Sequence, residues 1–318
     1  MQNRSEALMQ VAKNYIETLD TKIIYACVGG SVGRGDADQY SDLDLTIYTN
    51  ECASSSKLDI LYGDEIIQLE IVPIDELPDK KVILQSPWDF RFLAEEAILK
   101  DEEGSYHDLK EWAITYFNSK NGKQKMIEQV TNIVKNRCKF AMECLETNMN
   151  YSASIASMGA WTEAGFLYLY IKDNLLSTGE LIPQIEKLNN HMKRFNRVSP
   201  FTFTEVSNAS MIVSRYRKFL RDQGHTYSSL SIVHDTLCNR KIQRLLNNNE
   251  KLNLLWQMYG ESVGLYFETS NGLPFELYSQ DLPVSLQKDL SKIGFVPLNK
   301  SRTNELCTLS DELLSLSY

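Results

Sequence analysis

Two aspartates and a glycine-rich turn are the residues of this chain whose types and spacing point to chemistry. Residues 28–45 read VGGSVGRGDADQYSDLDL. A glycine such as Gly30 lets the backbone approach an anion without a Cβ in the way, and Ser31 offers a hydroxyl and an amide at a predicted helix N-terminus. Asp42 and Asp44 are two residues apart, so on a strand their carboxylates share one face. Two Mg²⁺ ions, about 3.5 to 4 Å apart, would relieve the repulsion of such a pair and clamp the oxygens of an in-line displacement at phosphorus.

A third carboxylate is expected on a neighbouring strand. Residues 66–71 read IIQLEI and place Glu70 between two apolar residues. An acid on an apolar strand costs free energy unless a cation or a hydrogen-bond donor meets it. Glu70 is therefore predicted to act as a metal ligand or as the base that takes an acceptor's proton. Asp64 and Glu65 fit a turn pattern and need no such explanation; together with Asp75 they are the alternatives if Glu70 is structural.

Apolar periodicity indicates the elements that must position these residues. Short apolar, β-prone runs predict strands over residues 23–28, 42–48 and 66–71. From residue 120 onward the apolar period becomes helical. The predicted helices cover residues 123–148, 152–176, 183–195, 204–222, 227–247 and 252–269. The fold class is thus predicted as α+β, with an N-terminal mixed α/β domain followed by an all-helical bundle domain.

These residues resemble the nucleotidyltransferase superfamily related to DNA polymerase β, whose pattern is Gly-Ser, a spacer, Asp-x-Asp and an acid on a later strand. The resemblance covers roughly residues 20–118. Residues 88–104, WDFRFLAEEAILKDEEG, also look like the helix and acidic turn that follow the third strand in antibiotic-modifying members. Residues 120–250 are similar in pattern to the helical second domain of the aminoglycoside and lincosamide nucleotidyltransferases.

The resemblance implies an organisation and a reaction. It predicts a nucleotidyltransferase catalytic domain over 1–118, a helical acceptor-binding domain over 119–272 and a small C-terminal appendage of unknown role over 273–318. It implies an adenylyltransferase that uses magnesium as cofactor and ATP as co-substrate. The implied acceptor is a small molecule, such as an aminoglycoside-like or lincosamide-like antibiotic, which would make the enzyme one of antibiotic resistance. Gly30, Ser31 and Arg34 are expected to bind the nucleotide, as is Lys187 on the predicted helix 183–195.

Several alternatives stay open at this point. The nucleotide need not be ATP, and the acceptor hydroxyl can belong to a housekeeping small molecule or a protein side chain. A nucleotidyltransferase-like regulatory or antitoxin-type protein, which binds or modifies a partner protein, is a competing interpretation. An enzyme that extends an RNA end is another. The glycines do not form a P-loop, since no lysine with a following Ser or Thr comes after them, and their spacing does not match the dinucleotide-binding fingerprint.

Composition limits the partners. The 318 residues carry a net charge of −9, which repels a polyanion and argues against long nucleic acids. No segment is apolar enough to predict a membrane span, and charges interrupt the N-terminal apolar face where a signal peptide would be continuous. The sequence therefore predicts a cytoplasmic protein with no membrane partner, and it leaves the oligomeric state undetermined.

Overall fold

A computed structural model of the chain describes residues 3–201 and 208–318. The strands are β1 Ile23–Val28, β2 Leu43–Thr49, β3 Ser56–Tyr62, β4 Glu65–Pro73 and β5 Ala97–Asp101. The helices before residue 200 are α1 Arg4–Ile16, α2 Gly30–Arg34, α3 Lys80–Gln85, α4 Ser105–Asn118, α5 Lys120–Glu146, α6 Asn150–Asp173, α7 Leu181–Ile185 and α8 Asn189–Val198. Those after it are α9 Ala209–Asp222, α10 Ile232–Asn247, α11 Lys251–Thr269, α12 Phe275–Tyr278, α13 Val284–Lys292 and α14 Lys300–Leu316.

The five strands form one mixed sheet in the order β3-β4-β2-β1-β5, with β2 and β4 parallel and the other neighbours antiparallel. Because Val28 pairs with Leu45, the last residue of β1 lies beside the start of β2, at one end of these two strands. Leu43, Leu45 and Ile47 are fully buried on the opposite face from Asp44, in one core with Leu8 of α1. The predicted α+β class is confirmed, as are the three predicted strands.

Two strands were not predicted. Strand β3 lies at the edge of the sheet and exposes Leu58 and Leu61, so it lacks the alternation that marks a half-buried strand. Strand β5 is partly buried along its whole length, again without alternation. The helix expected within residues 88–104 is wrong, because this segment contains only a 3-10 turn at Arg91–Ala94 before β5 begins.

The helical region follows the predicted pattern with one exception. Helices α5, α6, α10 and α11 confirm the predicted helices that they overlap, and the start of the predicted helix 204–222 lies outside the described residues. The single helix predicted over 183–195 is wrong. The chain forms α7 and α8 instead, because Leu188 has a non-helical backbone with φ −87° and ψ 70°. Lys187 lies in the connection between them.

The chain forms two compact units, each built from two segments that are separate in the sequence. One contains residues 1–126 and 231–241, and the other contains 127–230 and 242–318. In the second unit α14 packs against α6 and buries Leu306, Leu309 and Leu313, so residues 273–318 share the helical core. These compact units differ from the predicted domains 1–118, 119–272 and 273–318, whose functional boundaries stay predictions. In neither unit does a described helix have the length and apolar character needed to cross a membrane.

Candidate active site

The glycine turn joins β1 to the short helix α2. Gly29 caps this helix in an extended conformation, and its amide donates a 2.9 Å hydrogen bond to the backbone carbonyl of Asp44. Gly30 follows with a φ of +59°, a conformation that costs little only for glycine. Ser31 is partly exposed in the first turn of α2. The turn is therefore fastened directly to the strand that carries the predicted carboxylate pair.

Asp44 lies against the backbone of Gly30. A Cβ placed on Gly30 would come within 2.0 Å of Asp44 Oδ2, a distance that no real Cβ contact adopts. Asp42 precedes β2 and is only 8% exposed. Its Oδ2 atom is buried and has no hydrogen-bond partner among the residues that the structure describes. The structure thus places Gly30, Asp42 and Asp44 together, as the sequence pattern predicts.

The electrostatics of the pair are those of crowded negative charge. Burial, followed by the charge of Asp42, raises the pKa of Asp44 to about 7. Glu95 adds to this effect, whereas the charges of Lys241 and Arg34 oppose it. The net direction means that Lys241 and Arg34 do not offset burial and the neighbouring negative charges together. A bound divalent cation would do so.

The donor set fits magnesium. Mg²⁺ prefers carboxylate oxygens and is commonly held by one or two of them together with substrate phosphates. The orphaned buried oxygen of Asp42 is the observation that favours a cation, because an unpaired buried carboxylate oxygen is costly to keep. Asp42 and Asp44 are the residues that would hold such an ion.

Glu70 lies on the same face of the sheet but one step further from the glycine turn. In the parallel register of β2 and β4 it pairs with Thr46, whereas Gln68 is the residue opposite Asp44. Its carboxylate is 36% exposed and lies 3.3 Å from Lys57 Nζ. From the rise per residue and the strand spacing, the Cα atoms of Glu70 and Asp44 are about 8 Å apart. The role of Glu70 as a base or a metal ligand stays a prediction.

Arg34 is held beside the turn by two acids. Its guanidinium donates to Glu95 at 2.8 Å and to Asp36 at 3.2 Å. Burial raises the pKa of Glu95, and the hydrogen bond from Arg34 opposes that rise. Glu95 was not predicted as a site residue. Its position inside AEEA gives no sign that it faces the turn, since the neighbouring Glu96 has the same chemistry.

Two lysines bear on the surroundings of the aspartates, one predicted and one not. Lys187, predicted to contact phosphate, lies in the second unit, where its ammonium contacts the side-chain oxygen of Gln184. Lys241 lies in the first unit and acts electrostatically on Asp44. No sequence pattern indicates Lys241, because nearly two hundred residues separate it from Asp44 and a lysine on an amphipathic helix is normally solvated.

Comparison with known proteins identifies the class of domain that carries this site. Residues 10–112, about a third of the chain, match the family model of the nucleotidyltransferase domain. This region includes the glycine turn, the aspartate pair and all five strands. The chain therefore carries a nucleotidyltransferase domain, which supports nucleotidyl transfer in general and a transferase activity.

The solved and curated proteins add little to that assignment. The chain is similar to the crystal structure of a nucleotidyltransferase-like protein from Exiguobacterium sibiricum 255-15, with 12% sequence identity and a TM-score of 0.35. The alignment covers 91% of this chain and 87% of that one. No curated protein matches the chain. The aminoglycoside and lincosamide subtype implied by the sequence is not confirmed by these findings.

Proposed function

We propose that this chain transfers a nucleoside monophosphate, AMP from ATP, to a hydroxyl of a small-molecule acceptor in a magnesium-dependent reaction. The observation that carries the proposal is the aspartate pair beside the glycine turn. Asp42 has an orphaned buried oxygen, and Asp44 lies against Gly30 inside a nucleotidyltransferase domain. Two crowded carboxylates next to an apolar core cost free energy, and a bound cation explains why they are present.

Asp42 and Asp44 would hold the cofactor. When bound, Mg²⁺ neutralises charge on the triphosphate oxygens and stabilises the leaving group. The remaining binding comes from the chain itself. The Gly30 amide and the Ser31 hydroxyl would contact triphosphate oxygens at the start of α2, where backbone N–H groups favour an anion.

Two cations complete the proposed nucleotide site. The interaction of Lys241 with Asp44 supports its assignment as a phosphate contact, while the phosphate contact of Lys187 stays a prediction. Arg34 is a weaker contact, because Glu95 and Asp36 already share its guanidinium. A lysine ammonium suits phosphate as a compact point charge with three donors.

The reaction is an in-line displacement at the α-phosphorus. The acceptor oxygen forms a bond to that phosphorus while the bond from the phosphorus to the bridging oxygen breaks, and pyrophosphate leaves. The acceptor's proton must pass to a base, for which Glu70 is proposed. Glu70 is offset by two residues along the sheet from the position opposite Asp44, and its carboxylate is partly exposed; both support the base role over direct participation in the metal site.

The acceptor is proposed from the resemblance alone, as an aminoglycoside-like or lincosamide-like antibiotic. A screen with labelled ATP and magnesium tests the function directly. Purified protein is incubated with panels of antibiotics, metabolites and proteins, and products are identified by mass. Addition of one nucleoside monophosphate to an acceptor, absent with Asp44→Asn, is the expected result. No adduct on any acceptor, with no binding of Mg-ATP, would contradict the proposal.

A further inference from the structure

Three polar side chains form a row across the face of the sheet that carries the aspartate pair. Gln68 of β4 pairs with Asp44 of β2 on one side and with Asp59 of β3 on the other. Residues directly opposite each other on neighbouring strands point to the same face. Gln68 Nε2 donates to Asp59 Oδ1 at 3.1 Å. The row therefore runs from the proposed metal site outward to the edge strand.

The start of α10 contacts the outer end of this row. Residues 231–241 belong to the first compact unit, although their neighbours in the chain belong to the second. His234 Nδ1 lies 2.8 Å from Asp59 Oδ2, and this carboxylate is almost fully buried. Ser231 contacts the same oxygen at 3.3 Å and caps the helix by accepting from the amide of His234.

A second anchor lies near the other end of the segment. Arg240 Nη2 donates to the backbone carbonyl of Asp64 at 2.8 Å, and Nη1 lies 3.8 Å from Glu65. Arg4 holds the same glutamate through two hydrogen bonds of 2.6 and 2.7 Å. Both ends of the segment are thus tied to the strands β3 and β4 or to the turn between them.

The dimensions of the helix and the sheet agree. His234 and Lys241 are seven residues apart, so they lie on the same face of α10 and about 10.5 Å apart along its axis. Asp59 and Asp44 are separated by two inter-strand spacings, or about 9.6 Å. A helix anchored by His234 at Asp59 and running across the strands would bring Lys241 level with Asp44, and the charge of Lys241 does act on Asp44.

We propose that Asp59 and His234 form a positioning pair that holds Lys241 over the nucleotide's phosphates. The inference rests on the proposed function, because it assigns Lys241 that task. His234 acts through Lys241 and does not touch the reacting atoms. It is a suitable anchor because its imidazole is rigid and its Nδ1–H is directed at a buried carboxylate, whereas a flexible side chain would leave the helix free to shift.

The test uses His234→Leu, which removes the anchor, and His234→Asn, whose amide N–H can donate to Asp59 from nearly the position of Nδ1. We expect His234→Leu to raise the KM for ATP roughly tenfold with a smaller change in kcat. His234→Asn should keep the KM for ATP close to that of the parent. A merely structural role would lower the active fraction, and hence the apparent kcat, without changing KM.

A double-variant cycle shows whether His234 acts through Lys241. In a Lys241→Met background, His234→Leu should change the KM for ATP less than twofold, because the group that it positions is absent. An unchanged tenfold effect in that background would overturn the proposal. So would a normal KM in the single His234→Leu variant. His107→Leu, at an exposed histidine of α4 in the same unit, is the matched control and should behave as the parent.

Two further measurements separate the possible failures. Calorimetry of the parent protein with Mg-ATP tests the proposed function, and if the parent does not bind, both proposals fall together. If the parent binds and Lys241→Met binds equally well, only the positioning role fails. Should His234→Leu prove insoluble, Asp59→Asn removes the buried charge at nearly constant volume and should raise the KM for ATP in the same direction.

Discussion

Burial of Asp44 beside the charge of Asp42 opposes folding while it favours cation binding. Asp44 shows the effect in the rise of its pKa to about 7 through burial and the neighbouring Asp42. When an acid has a higher pKa in the folded state than in the unfolded state, the protein loses stability as pH rises between the two pKa values. In the metal-free protein, ionised Asp44 is therefore a cost to the fold.

Replacing either aspartate by asparagine separates function from stability. We expect Asp42→Asn and Asp44→Asn each to lower magnesium-dependent transfer by roughly 10²- to 10³-fold, since each removes a carboxylate that would hold the cation neutralising phosphate charge. At pH 8 the metal-free Asp44→Asn protein should melt no lower than the parent. Single-turnover rates and thermal melts provide the measurements, with the exposed Asp20→Asn as control. Full activity in both variants would place the metal site elsewhere.

Glu70 offers a sharper test of mechanism. As a base, Glu70→Gln should reduce the single-turnover rate by about 10²- to 10⁴-fold while the affinity for Mg-ATP stays within twofold. As a metal ligand, it should weaken Mg-ATP binding as well. Calorimetry alongside rapid-quench kinetics distinguishes the two outcomes. Lys57→Met, which removes the ion-pair partner of Glu70, is the control and should retain most of the activity.

At the scale of elements, the turn between β1 and α2 depends on the close approach of Gly30 to Asp44. Gly30→Ala adds a Cβ where Asp44 Oδ2 lies and should abolish Mg-ATP binding. Gly35→Ala is a matched control, because Gly35 also has a positive φ of +83° but nothing within 4 Å of its Cβ position. In denaturant unfolding, Gly35→Ala should lose roughly 1 to 2 kcal/mol from backbone strain, and Gly30→Ala should lose more because of its clash with Asp44. Equal ATP affinities of Gly30→Ala and Gly35→Ala would show that Gly30 is not part of the nucleotide site.

The sequence predicted those elements whose local pattern is strong and missed those whose pattern depends on tertiary position. Strands β1, β2 and β4 are buried and apolar, so their runs are visible in the sequence. Strand β3 at the exposed edge carries no such signal. The row of Asp44, Gln68 and Asp59 could therefore not be predicted from the sequence. The same limit applies to Glu95 and Lys241. Their places depend on packing between segments that are far apart in the sequence.

At the scale of the whole molecule, one buried histidine links stability to pH. His191 of α8 is 2% exposed, and Trp161 Nε1 donates to its Nε2 at 3.0 Å. The ring must therefore be neutral with its proton on Nδ1. Burial lowers the pKa of His191, Arg194 acts in the same direction, and Glu312, 3.7 Å away, opposes them. Protonation would also end the hydrogen bond from Trp161.

The second unit should consequently lose stability on mild acidification. Because the pKa of His191 is lower in the folded than in the unfolded state, the unfolded chain binds more protons below about pH 6.5. Each further pH unit then costs up to about 1.4 kcal/mol until the folded pKa is passed. Urea midpoints between pH 7.5 and 5.5 should fall, and His191→Gln, whose amide oxygen can accept from Trp161, should flatten that fall. His107→Gln, at an exposed histidine, should leave the slope unchanged; an equal slope in His191→Gln would mean that other groups set the pH dependence.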